Sequence, residues 1–123
     1  MTDAFESLRA ELDVLDDTLC EQLKQVESGL ADLRLGVPIS LALGDDVLWL
    51  DKWGKVWRLM VEDSNGDRTL LCDSPRNIRA KAMQAIPALL KNATTQMQEM
   101  VEERKRVVEQ TRVVLEEIRS VTR

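Results

Sequence analysis

Histidine and tyrosine are missing from this 123-residue chain, and phenylalanine occurs once. Without histidine the chain has no side chain that ordinarily titrates near neutral pH, and it loses the commonest metal ligand. Catalytic triads and dyads built on histidine, and zinc sites that include it, are excluded. Phosphate loops, dinucleotide fingerprints, nucleophile elbows and zinc-ligand clusters are also missing. A non-catalytic protein without cofactor or metal is therefore expected. No apolar run approaches the roughly 18 residues that cross a bilayer, so no membrane partner is expected. Met1 to Phe5 carry an acid and lack the basic-then-apolar layout of a signal peptide, which predicts a cytoplasmic protein. Only two cysteines occur, Cys20 in a helical pattern and Cys72 in a strand pattern. Isolated cysteines of this kind are expected to be small buried apolar residues.

What is present suits a folded domain with much helical surface: 44% hydrophobic and 32% charged residues. The formal charge of −5 is unevenly spread, at −6 over residues 1–35, −3 over 36–74 and +4 over 75–123. An acidic front and a basic back should attract one another, within a chain or between chains.

The periodicities predict a single α+β domain over 1–123. Phe5, Leu8, Leu12, Leu15, Leu19, Leu23, Val26, Leu30 and Leu33 recur at intervals of three and four, which predicts a long helix over 3–35. Thr2 or Asp3 can cap its start, and Gly36 followed by Val37-Pro38 should end it. Residues 37–73 read as a three- to four-stranded antiparallel meander. Its strands are centred on Ile39–Leu43, Val47–Asp51, Lys55–Glu62 and Arg68–Cys72, with turns at Gly44-Asp45-Asp46, Trp53-Gly54 and a type I′ turn at Asn65-Gly66. Ser74-Pro75 is a helix start. It predicts a helix over 75–91 that Pro87 kinks or breaks, then a long helix over 94–122.

The last helix carries an unbroken stripe: Met97, Met100, Arg104, Val107, Thr111, Val114, Ile118 and Val121, flanked by Val101, Val108 and Leu115. A first helix of about 50 Å overhangs strands of about 20 Å. The two terminal helices are therefore expected to form an antiparallel coiled-coil-like stalk, and the chain a homodimer or higher homo-oligomer. The seam residues would be Leu12, Leu15, Leu19, Met97, Met100, Arg104, Val107 and Val114. Arg104 would need a carboxylate, for which Asp16, Asp17 and Glu21 are placed.

Three tryptophans, Trp49, Trp53 and Trp57, crowd one hairpin, where they serve as packing residues or as an anchor for a partner. Trp53 at the bend is the best anchor, and Arg58 or Lys55 can stack on an indole. Asp63-Ser64-Asn65-Gly66-Asp67 opens like a calcium loop, but Arg68 and Ser74 stand where glycine and glutamate are required. Arg76, Arg79 and Lys81 near a helix start are candidate phosphate contacts.

The order helix, hairpins, long helix resembles the layout of prefoldin subunits, which pair terminal helices around a β region; the helix at 75–91 departs from it. The reading that results is a protein–protein interaction module, an adaptor, inhibitor or chaperone-like subunit, acting on an unidentified and basic protein partner. The alternative is a nucleic-acid-associated protein using the basic C-terminal half.

Overall fold

The three–four spacing that starts at Phe5 builds helix α1, Thr2–Asp32, in a computed structural model that describes residues 2–122. The side chain of Thr2, one of the two expected caps, lies outside the described part. α1 stops three residues short of the expected end. Leu33 and Arg34 donate to the carbonyls of Leu30 and Ala31, which tightens the last turn, and Arg34 itself takes a left-handed φ of 50°. An arginine thus holds the position at which glycine usually ends a helix, and Gly36 lies beyond it.

Four antiparallel strands follow in meander order: β1 Ile39–Leu43, β2 Asp46–Trp53, β3 Val56–Glu62 and β4 Arg68–Leu70. Leu43 pairs with Asp46 and Trp53 with Val56, so the first two connections are two-residue loops, Gly44-Asp45 and Gly54-Lys55. Only the glycine of each has positive φ, 67° and 68°. A glycine at the first central position is the type II′ arrangement, whose twist matches that of the flanking strands.

The Asn65-Gly66 turn differs from expectation. Gly66 alone has positive φ, and its amide bonds the Asp63 carbonyl at 3.0 Å. Type I′ would need positive φ at both residues. The Asp63 carboxylate selects the other turn by accepting from the amides of Asn65 and Asp67 at 2.9 and 3.0 Å. The last strand is also shorter than its apolar run. Leu71–Asp73 form a 3₁₀ turn that buries Leu71.

Helix α2, Arg76–Thr122, is one element where two were expected. Pro87 does not break it. The proline lies on an exposed face, where water can reach the carbonyl that lacks an intrahelical donor. Ser74 is not a simple cap: its hydroxyl donates backward to the Leu70 carbonyl at 3.1 Å, and Pro75 accepts the first helical bond from Arg79.

The chain divides into two units, Met1–Asn92 and Ala93–Arg123. In the first, register places Ile39, Leu50 and Leu59 abreast, and Leu41, Leu48 and Val61 abreast. This sheet face, with Leu23 and Leu30 of α1 and Ala82, Ile86 and Leu89 of α2, forms the buried core. The opposite face sets Trp49 beside Met60 and Met60 beside Leu70. The core reaches α1 only from about Leu19 onward; Phe5, Leu8, Leu12 and Leu15 are exposed.

Candidate interaction surface

In the second unit the helix is its own surface. Every described residue from Val101 onward is exposed, including Val107, Val108, Val114, Leu115, Ile118 and Val121. The coiled-coil packing expected of the terminal helices is not confirmed: among the described residues Leu12, Leu15, Met97, Val107 and Val114 are exposed, while Leu19 and Met100 are half-buried. Within the first unit, the contacts between the helices advance in the same sense along both. Arg76 meets Asp13 and Asp16, and Arg79 meets Cys20.

Arg104 lies in an open groove with Met97, Met100, Val101 and Val108. It makes no ion pair among the described residues, and the pairing expected with Asp16 is replaced by Asp16 with Arg76 at 3.3 Å. Five other charged residues of this segment pair along the helix: Lys105 with Glu102, and Arg112 with both Glu109 and Glu116. The Arg112 guanidinium holds the Glu109 carboxyl below the usual glutamate range. A shorter apolar patch, Phe5, Leu8 and Leu12, lies at the start of α1.

No protein-family model, curated protein or solved structure matches this chain.

The tryptophans separate into two roles. Trp53 is 48% exposed at the β2–β3 tip, across from exposed Val56. Trp49 and Trp57 are half-buried. The cations expected to stack on indoles are not the ones that do. Arg68 lies 4.3 Å from the Trp49 ring and Lys52 5.8 Å from the Trp57 ring. Arg68 is fixed there by Asp51 at 2.8 Å and Glu62 at 3.1 Å, and these bonds raise its pKa above the ordinary arginine value.

Arg58 is instead directed at α1. It donates to the Glu27 carboxylate at 2.9 Å and to the Cys72 sulfur at 3.3 Å. The bond to Glu27 is the main cause of the guanidinium's raised pKa, against partial desolvation. Glu27 was not anticipated from sequence, although the signal was present: it lies four residues after Leu23 and three before Leu30, inside the apolar stripe. The buried carboxylate also accepts the Leu59 amide at 2.8 Å. β4 pairs only with Met60, Val61 and Glu62, so Leu59 has no strand partner on that side. Glu27 supplies the acceptor that a longer strand would have given.

Both cysteines are free and half-buried, where full burial was expected. Each accepts from a guanidinium, Cys20 from Arg79 at 2.9 Å. Of the candidate phosphate contacts, Arg76 and Arg79 are thus engaged by α1, and Lys81 reaches the Gly44 turn. Among the described residues no group of three or more acidic or cysteine side chains could hold a metal, and no helix is long and apolar enough to cross a membrane.

Proposed function

We propose that this protein is a non-catalytic protein–protein interaction module, an adaptor, inhibitor or chaperone-like subunit, that works as a homo-oligomer through its long helices. The observation that carries the reading is the exposed stripe from Met97 to Val121. An isolated helix in water is sustained only marginally by its own propensity and by solvated ion pairs. A stripe of valine, leucine, isoleucine and methionine along 25 residues gains far more by being covered. Contiguous exposed apolar surface of this kind marks interaction sites.

Trp53 and Val56, exposed at the β2–β3 tip, offer a second, smaller contact for a partner. The nucleic-acid alternative is less favoured at the start of α2, because Arg76 and Arg79 already meet Asp13, Asp16 and Cys20. Multi-angle light scattering across a concentration series is the test. The expected result is a dimer or larger assembly, converted towards monomer by Val107→Asp with Val114→Asp. A monomer at every concentration would overturn the oligomer.

A further inference from the structure

The ion pairs of the C-terminal segment lie on one side of the helix, and this exposes a second asymmetry. With Met97 as an a position, the a residues are Met97, Arg104, Thr111 and Ile118, and the d residues are Met100, Val107, Val114 and Val121. Glu102, Glu109 and Glu116 then fall at f and Lys105 and Arg112 at b, so their ion pairs all face away from the stripe. The e positions are Val101, Val108 and Leu115, all apolar; the g positions are Gln96, Glu103, Gln110 and Glu117, all polar.

That difference decides direction. Parallel helices set e against g of the other copy, which would press Val108 onto Glu103 and Leu115 onto Gln110. Antiparallel helices set e against e and g against g, so apolar meets apolar and polar meets polar.

Arg104 decides it independently. A parallel pair in register stacks two Arg104 side chains in one layer. An antiparallel pair that overlaps the whole stripe sets Met97 beside Val121 of the second copy and Arg104 beside its Val114. The two Arg104 residues are then ten positions apart, about 15 Å along the axis, beyond the screening length of about 8 Å. Glu117 of the second copy lies about 4.5 Å along the axis from Arg104, close to Glu103. One guanidinium thereby stands between two carboxylates that would otherwise repel each other across the g positions.

Length selects the occupant. The stripe from Met97 to Val121 runs about 36 Å, whereas the exposed stripe of α1, Phe5 to Leu15, runs about 15 Å. Of the exposed stripes among the described residues, the α2 segment is matched in length only by itself.

We infer that residues 97–121 bind the same segment of a second copy antiparallel, about a twofold axis near the level of Glu109. Each side of the axis holds a cluster of Glu103, Arg104 and Glu117 of the second copy. The inference rests on the homo-oligomer reading above and adds its partner segment, direction and register.

Nitroxide labels on the full chain test it. In a Cys20→Ser, Cys72→Ser background checked by circular dichroism, single labels are placed at Gln98→Cys or Arg119→Cys. The Gln98 labels of one dimer should be about 33 Å apart along the axis, being 22 positions from each other's level. Mixing the two labelled proteins should add a distance of about 20 Å, set by the 8–10 Å interaxial spacing and the label arms. A short distance between Gln98 labels means parallel pairing and overturns the inference while the homo-oligomer stands. A dimer without the short mixed distance overturns it too, by placing another surface at the interface. A monomer overturns both readings. With the unlabelled native chain, Arg104→Glu should weaken dimerisation at least tenfold, and adding Glu117→Arg should restore it. Failure of that charge swap to restore the dimer overturns the cluster.

Discussion

Replacing Glu27 by alanine removes one oxygen that serves two donors, and the cost can be worked out from its surroundings. The Leu59 amide is buried beneath it, on a residue with no exposed surface. Leaving that donor unsatisfied costs about 1–3 kcal/mol. The Arg58 guanidinium also loses its partner, but its side chain is 31% exposed and water can take over part of the bond. The full penalty for breaking a buried pair, about 3–5 kcal/mol, therefore does not apply. A loss of about 2–4 kcal/mol in total is expected for Glu27→Ala. Glu27→Gln keeps an acceptor for Leu59 and gives up only the charge, so about 1–2 kcal/mol is expected. Urea unfolding followed by circular dichroism, at one protein concentration, should lower the midpoint by about 1–2 M for alanine, given slopes of about 1–3 kcal/mol/M. Arg58 has a raised pKa, so its contribution is complete below the ordinary arginine value and is lost only as pH rises through the higher folded value. Raising pH through the neutral and mildly alkaline range should leave the difference between wild type and variant unchanged. An alanine variant within about 0.5 kcal/mol of wild type would refute the idea that Glu27 completes the sheet edge. A glutamine variant as unstable as alanine would show that the charge, and not the Leu59 bond, dominates.

Gly44→Ala and Gly54→Ala should each cost about 1–2 kcal/mol in thermal or urea unfolding, because both glycines have positive φ. At Gly44 the new Cβ would also sit 3.0 Å from Lys81 Nζ, a flexible end that can move, so similar losses at the two sites are expected. Trp53→Ser should change stability by less than about 1 kcal/mol, in contrast to about 2–5 kcal/mol for Leu59→Ala, and should weaken capture of a protein partner if the tip is an anchor. Glu109 has a lowered pKa, so its helix contact with Arg112 is complete above the ordinary glutamate value of about 4.3 and is lost as pH falls through the lower helical value. Ellipticity at 222 nm should therefore decline more on acidification in wild type than in Glu109→Gln.

The elements were legible where one signal dominated. The Leu23–Leu30 spacing, the alternation of Ile39, Leu41 and Leu43, and the glycines at two of the turns each admit one backbone solution, and α1 and the four strands follow. The differences arise where a side chain overrides a local rule. Asp63 binds two amides and replaces type I′ by a turn with a single left-handed glycine. Pro87 faces solvent, so the missing donor does not stop the helix. The surface was legible as a stripe, but its coverage was not, because periodicity shows which residues share a face and not what lies against it. Glu27 was hidden by composition: an acid at a core spacing reads as an interruption until the open amide of Leu59 is seen beside it.

The charge split of the chain bears on which helix can meet its own copy. The positive charge of the back half is concentrated in residues 75–92, with four bases and no acid. Part of it is spent within the chain, where Arg76 meets Asp13 and Asp16. Residues 93–123 hold six acids and six bases and so carry no net charge. Residues 3–17 of α1 hold six acids and one base. Two copies of α1 brought together along Phe5, Leu8 and Leu12 would crowd charges of one sign, whereas two copies of the C-terminal segment would not. Raising the salt concentration separates the cases: it should weaken the dimer modestly, by screening the Arg104 clusters, if the α2 stripes meet, and strengthen association markedly if the acidic α1 stripes meet.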